Sequence, residues 1–336
     1  MRACNVLFGT WIISLTCGVF SLAADLRAEL PLAPAGYANE AEVKQAYISG
    51  KLRAIDLTID VPDTVKVEKN IEYGKGGETS LKLDLYSPKN HSKPVPAVVF
   101  IHGGAWKGGY RQMYHYYCVK FAEHCYVAAT ISYRLTGEAP FPAAVEDTKC
   151  AVRWVRANAE KLGIDPKRIG VAGGSAGGHL AMMIAYSSDV PQLDGKGGHA
   201  DVSSRVQAVV DLYGPTDLTD EAAKTREEVI RFLGGKKFDE APDTYRLASP
   251  ITHVTKDDPP TLILHGSIDS TVPIHQAELL VERLKENGVE YEFDCVKGWP
   301  HAMDLAFDVN RHCIAKMFDF FDKYLGSPAV GSVRKG

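Results

Sequence analysis

The chain has 336 residues, 45% of them apolar and 24% charged, with 38 basic against 42 acidic side chains and a net charge of −4. That length admits one large domain or two small ones. The slightly acidic balance and the lack of a long basic run argue against nucleic acid as a partner.

In chain order, Arg2 precedes an apolar stretch from Val6 to Leu22, which ends in Ser21-Leu22-Ala23-Ala24-Asp25. This is the layout of a secretory signal peptide over residues 1–24, cleaved after Ala23 or Ala24. A membrane anchor is the competing reading, but the run is short and is interrupted by Gly9, Ser14, Thr16 and Gly18. A lipoprotein anchor at Cys17 fits poorly, because Ser14-Leu15-Thr16 makes a weak lipobox. The protein is therefore expected to be exported to the periplasm or the exterior, with no stable membrane span after cleavage. Residues 25–62 form an N-terminal arm with one short helix, Asn39 to Ser49.

A catalytic domain is expected over residues 63–326, followed by a tail at 327–336. Val65 to Tyr73 and Leu81 to Tyr86, joined by the turn-prone Gly74-Lys75-Gly76-Gly77, predict an antiparallel hairpin. Val127 to Tyr133, Arg168 to Ala172, Val206 to Leu212, Thr261 to His265, Tyr291 to Val296 and Ala97 to Ile101 are short apolar runs that predict strands buried on both faces. Helical patterns cover Met113 to His124, Ala143 to Lys161, Ser175 to Ser187, Pro273 to Asn287 and Met303 to Tyr324. The alternation predicts a doubly wound, mostly parallel α/β sheet of eight strands, with ligands at the carboxyl ends of the strands. Tyr213 to Pro260 is a modest lid insertion. Within the long helix at 143–161, Glu146 and Asp147 are expected to form a helix-face salt network with Arg153 and Arg156.

Two motifs carry chemistry. Gly173-Gly174-Ser175-Ala176-Gly177 lies between a strand and a helix, as a nucleophile elbow requires, with glycines where the chain must pass closely. His102-Gly103-Gly104-Ala105-Trp106 follows a central strand and offers backbone N–H groups to a developing negative charge. With Ile131-Ser132-Tyr133-Arg134-Leu135, Asp165-Pro166 and Tyr213-Gly214-Pro215-Thr216-Asp217, these motifs resemble the α/β-hydrolase esterase/lipase family, in the branch with an HGG-type oxyanion loop. The likeness runs from about Val65 to Leu325. Ala105 stands where that family more often has a third glycine.

The resemblance implies an α/β-hydrolase fold and the chain order serine, acid, histidine. His301, in the loop Gly298-Trp299-Pro300-His301 after the last strand, is then the base, and His312 lies inside the final helix. Asp269, in the loop after the penultimate strand, is the acid; Asp211 and Asp217, after the strand before it, are the alternatives. Asp257 and Asp258 have the look of a solvated turn. Gly103, Gly104 and Ala176 would donate to the oxyanion, with His102 bonded to the loop backbone and His179 packed in its helix. Ala105, Trp106 and Trp299 are expected at the substrate pocket. Tyr110, Tyr114, Tyr116 and Tyr117 either stack on sugar faces or cover core.

No metal and no cofactor is expected. Removal of the leader leaves Cys118, Cys125, Cys150, Cys295 and Cys313. Cys295 and Cys313 are placed where they could pair, and the alternative is that all five are small buried residues. The expected function is a serine carboxylic-ester hydrolase for short, acetyl-like acyl groups of small-molecule or carbohydrate esters. An arylformamidase or a serine peptidase-like hydrolase of the same fold is the alternative, and a non-catalytic binding module is the alternative of another class. The oligomeric state is left open.

Overall fold

The eight apolar runs form one eight-stranded sheet in a computed structural model that describes residues 30–91 and 93–327. The expected leader at 1–24 and the tail from 328 onward lie outside the described residues. The strands are β1 (Val65–Gly76), β2 (Thr79–Pro88), β3 (Val95–Ile101), β4 (Val127–Ile131), β5 (Ile164–Gly174), β6 (Ala208–Leu212), β7 (Thr261–Gly266) and β8 (Tyr291–Val296), in spatial order β1-β2-β4-β3-β5-β6-β7-β8. β1 and β2 are an antiparallel hairpin, β2 is antiparallel to β4, and from β4 to β8 every neighbouring pair is parallel.

The helices are α1 (Glu40–Ile48), α2 (His115–Glu123), α3 (Ala143–Ala157), α4 (Ala159–Leu162), α5 (Ala176–Tyr186), α6 (Glu221–Lys224), α7 (Glu227–Phe232), α8 (Pro242–Leu247), α9 (His275–Glu286) and α10 (Phe307–Phe321). Side chains alternate across a strand, so β3 feeds two cores. Val99 and Ile101 pack with Val152 of α3, Leu180 of α5 and Leu280 of α9. Val98 and Phe100 pack with Phe121 of α2 and Val309 of α10. Phe100 is fully buried, with the rings of Tyr114, Tyr117 and Phe121 centred 5.5, 5.9 and 5.0 Å away. Its burial is worth roughly 1.5–3 kcal/mol.

Four local expectations are corrected. The hairpin turn is Gly77-Glu78, because β1 and β2 stay paired as far as Gly76 with Thr79. The helix expected over 143–161 breaks at Asn158 into α3 and α4, and Gly163 closes it in the left-handed region at φ 66°. β8 is an edge strand whose residues are mostly half-buried, since no strand among the described residues covers its outer side. Glu146 and Asp147 pair with Arg134 from the loop after β4, at 3.2 and 2.7 Å. Arg153 and Arg156 turn instead to the carbonyls of Gly198 and Pro166.

The arm has a definite place. Asn39 caps α1 by accepting from the Glu42 N–H at 3.0 Å, while the Glu42 carboxylate accepts from the Ala38 N–H. The segment before α1 lies against the loop after β8: the Tyr37 N–H donates to the Gly298 carbonyl at 2.8 Å. Farther on, Ile55 donates to the Leu305 carbonyl and Phe307 donates back to Arg53. The five cysteines among the described residues are free, with Cys118, Cys150 and Cys313 buried, so the suggested pairing of Cys295 with Cys313 is not made. Among the described residues no helix is long and apolar enough to cross a membrane.

Candidate active site

β5 ends at Gly174, Ser175 turns with φ 56° and ψ −124°, and α5 starts at Ala176. Such a backbone in a residue with a Cβ costs on the order of 1–3 kcal/mol and persists only where the surroundings enforce it. Here they do so by contact. A Cβ at position 177 would lie 2.0 Å from the Ile101 carbonyl oxygen, and one at 173 would lie 2.3 Å from the Gly177 oxygen. The glycines that flank the serine are thus required by the closeness of β3 to the elbow.

β3 itself runs into the second motif. Gly104 has φ 115°, and Ala105 and Trp106 follow at 51° and 55°. The Lys107 and Gly108 N–H groups both donate to the Gly104 carbonyl, at 3.1 and 3.0 Å, which folds the loop back. Among the described residues no acceptor is bonded to the N–H of Gly103 or Gly104. The Ala176 N–H belongs to the first turn of α5, where helix donors lack intrahelical partners. Gly103 stands against the serine: a Cβ there would be 3.3 Å from that of Ser175. His102 braces the loop as expected, with Nδ1 donating to the Gly103 carbonyl at 2.8 Å and its ring stacked on Tyr133. Burial lowers its pKa to about 4, so it is neutral.

The loops after β7 and β8 supply the other two side chains. His301 Nδ1 lies 2.6 Å from Asp269 Oδ2, and His301 Nε2 lies 2.9 Å from Ser175 Oγ. A carboxylate only accepts, so Nδ1 carries the proton and Nε2 is free to accept from the serine hydroxyl. Asp269 Oδ1 accepts the N–H groups of Thr271 and Val272, each at 2.8 Å. Burial pushes the Asp269 pKa up, but the hydrogen bonds from His265, His301 and Val272 outweigh it and leave the group at about 2. Of the alternative acids, Asp217 is engaged by the N–H and hydroxyl of Thr219 at 2.8 and 2.7 Å, and Asp211 is fully buried behind the elbow.

A cavity of about 160 Å³ opens beside Ser175. Ala105 and Trp106 wall it from the loop after β3, Ala223 and Val229 from the insertion, and Val272 and Pro273 from the loop after β7. Trp106 is fixed on two sides: its ring stacks on Phe232 of α7 at 4.5 Å, and its N–H donates to His179 Nδ1 at 3.2 Å. His179 Nε2 in turn donates to the Ala248 carbonyl, which sets the tautomer of a ring that burial holds neutral, with a pKa near 4.

Trp299 is not at this cavity. It is 1% exposed, its indole N–H donates to the Pro34 carbonyl at 3.1 Å and its ring meets Tyr37 edge-on at 5.7 Å. Two residues of separation from His301 do not keep side chains on one side of a loop. Tyr114 and Tyr117 are core, and Tyr110 is 61% exposed. The sequence reading missed Arg226 and Gln276 on the cavity wall and His265 behind the acid. His265 left a trace, as the one polar residue in Thr261-Leu262-Ile263-Leu264-His265 besides the first.

The BD-FAE family model matches residues 83–284. The curated relative Esterase LipC of Mycobacterium tuberculosis is 36% identical over 216 residues, which are 62% of this chain and 53% of that protein. The chain therefore spans about half the length of that relative. Among solved structures, a truncated carbohydrate esterase from gut microbiota superposes with a TM-score of 0.71 at 30% identity, covering 78% of this chain and 98% of the other. Esterase 2 of Thermogutta terrifontis gives 0.68 at 28% identity, covering 84% and 99%, and it has also been solved with butyrate and with propionate bound.

Proposed function

Because this chain belongs to the BD-FAE family of α/β-hydrolase esterases, we propose that it is a serine carboxylic-ester hydrolase with Ser175 as nucleophile, His301 as base and Asp269 as acid. The observation that carries this reading is the unbroken chain of contacts from Asp269 Oδ2 through His301 to Ser175 Oγ, at 2.6 and 2.9 Å.

The steps follow from those contacts. His301 Nε2 takes the hydroxyl proton as Ser175 Oγ attacks the ester carbonyl, and Asp269 stabilises the imidazolium and fixes its tautomer. The oxyanion is received by the N–H groups of Gly103, Gly104 and Ala176, each worth on the order of 3 kcal/mol in such a site. His301 then returns the proton to the leaving alcohol oxygen, and a water deprotonated by the same nitrogen releases the acid from the acyl-enzyme.

The small apolar cavity supports a short acyl group, and the neighbour solved with propionate and with butyrate bound supports the same size range. The likeness to a carbohydrate esterase supports an acylated saccharide as the natural ester. Export through the leader at 1–24 belongs to the same reading, tested by the N-terminus of the mature protein.

The test is hydrolysis of p-nitrophenyl esters from acetyl to octanoyl alongside acetylated xylan, with Ser175→Ala as control. Activity that falls beyond butyryl, with acetate freed from the polymer, is expected. Equal activity up to octanoyl without acetate release contradicts the substrate assignment, and turnover of an N-formyl arylamine in preference to every ester favours an arylformamidase.

A further inference from the structure

The turn after β6 holds a side chain that the proposed mechanism does not use. Tyr213 follows the last residue of β6 at φ 46°, in the left-handed region where a bulky residue is an outlier. Its backbone is fixed on both sides. The Tyr213 N–H donates to the Leu264 carbonyl of β7 at 3.0 Å, and the Leu212 carbonyl before it accepts the Ser175 N–H at 2.8 Å. From this strained position the ring reaches the base: it meets the His301 ring edge-on, with centroids 4.8 Å apart. Among the described residues no other aromatic ring packs on His301.

The far end of the Tyr213 ring is anchored. Its hydroxyl donates to Asp304 Oδ1. Asp304 lies three residues beyond His301, in the turn Met303–Leu305, and is 3% exposed. Its Oδ2 accepts from the Tyr117 hydroxyl of α2 at 2.6 Å, and Asn310 of α10 donates to the Tyr117 hydroxyl and to the Asp304 carbonyl, each at 2.9 Å. Among the described residues no cation pairs with this carboxyl group. A buried carboxylate without a counter-ion is costly, and here the two phenols compensate it through bonds stronger than those between neutral groups. Burial raises the pKa of both phenols, so both remain donors. Gly174 leaves room for the anchor, since a Cβ there would lie 2.9 Å from the Tyr213 hydroxyl oxygen.

The base needs such a support in one half of the reaction. In the free enzyme His301 is held at both nitrogens, by Asp269 and by Ser175. In the acyl-enzyme Ser175 Oγ is an ester oxygen with no proton to give, so Asp269 alone would hold the imidazole, which could swing about that one bond.

We propose that Tyr213 is a positioning residue for deacylation: anchored to Asp304, its ring keeps His301 in place while Ser175 is acylated. In that step water gives a proton to His301 Nε2 and its oxygen bonds to the acyl carbon, and the proton passes to Ser175 Oγ as the bond from carbon to Oγ breaks. The inference rests on the triad reading above.

The test is p-nitrophenyl acetate turnover, with the fraction of chain acetylated at steady state read by mass from acid-quenched samples. Tyr213→Phe keeps the ring and removes the anchor. Tyr126→Phe is the matched control, because buried Tyr126 also donates to a carboxylate, Asp322 Oδ1 at 2.6 Å, but stands before β4 at the other end of the parallel strands from the site. Turnover by Tyr126→Phe is expected within about threefold of the parent. Tyr213→Phe should turn over about tenfold more slowly, as misplaced reacting groups do, with an acetylated fraction equal to or above the parent's. A merely structural loss would lower the acetylated fraction in step with the rate, and that result overturns the proposal. So does equal turnover in the two variants, with His301→Ala inactive. An active His301→Ala overturns the triad reading and this proposal together. If Tyr213→Phe does not fold, Asp304→Leu, which cannot accept a hydrogen bond, is judged by the same two readings.

Discussion

The two halves of the candidate site are held by different means. The nucleophile half is built by the centre of the sheet: β3 and β5 press on the elbow through backbone contacts that tolerate no Cβ at 173 or 177. The acid and base half sits on loops after β7 and β8, toward the edge of the sheet, and part of its support comes from outside the sheet. Ser270, next to Asp269, donates its N–H to Glu40 at the start of α1 at 3.0 Å, and Gly298 and Trp299, just before His301, bond Tyr37 and Pro34. A strained turn in the centre is rigid by packing, whereas loops near an edge need a strap.

The largest effects should come from the reacting groups, which join the halves. Ser175→Ala and Asp269→Asn should each lower kcat by on the order of 10⁴-fold or more while the fold, read by circular dichroism, stays intact. Next is the centre. Gly177→Ala forces a methyl group onto the Ile101 carbonyl and should lower stability by about 2–4 kcal/mol, measured by denaturant unfolding. A stable Gly177→Ala enzyme would mean that the elbow is not pinned by β3.

The acid half is distinguished by its pH dependence. Asp269 has its folded pKa depressed from 3.8 to about 2, so its stabilisation is complete above about pH 4 and is lost as pH falls from there toward 2. Relative to Asp269→Asn, the parent should lose about 2 kcal/mol across that window. Parallel pH curves for the two proteins would show that the carboxylate is not specially held.

The strap gives the smallest effect. A Cβ at Gly36 would lie 2.2 Å from the Lys297 carbonyl oxygen, so Gly36→Ala should push the arm off the His301 loop and lower kcat about tenfold. Gly137→Ala, with open space around its Cβ, should leave kcat unchanged. Equal kcat in the two would show that the arm only covers the domain.

The same contrast explains what the sequence disclosed. The sheet, the elbow and the oxyanion loop were legible because strands, tight turns and close approach each demand particular residues, and Gly173, Gly177 and the Gly103-Gly104 pair stand there. That Asp269 and His301 would meet Ser175 was legible through their order on the chain. The arm was not, because its contacts with the site run largely through carbonyls of Pro34 and Gly298, which any residue supplies. The cavity wall from Ala223 and Val229 was hidden for a related reason: α6 and α7 are too short to show a periodic face. Trp299 was misplaced because sequence proximity fixes a distance along the chain and not a direction. Asp211 showed only as an alternative acid and His265 was missed, although it is the one polar residue of β7 besides Thr261 and its approach to Asp269 appears only in space.

The central claim is that Ser175 forms a covalent acyl-enzyme with His301 as its base. The most direct measurement is rapid mixing with excess p-nitrophenyl acetate, following p-nitrophenol release while intact and peptide masses are taken from acid-quenched samples. A burst approaching one p-nitrophenol per chain, with an acetyl group on the peptide that contains Ser175 and no adduct in Ser175→Ala, is the result predicted. Steady turnover in Ser175→Ala, or an acetyl group carried on another residue, would contradict it.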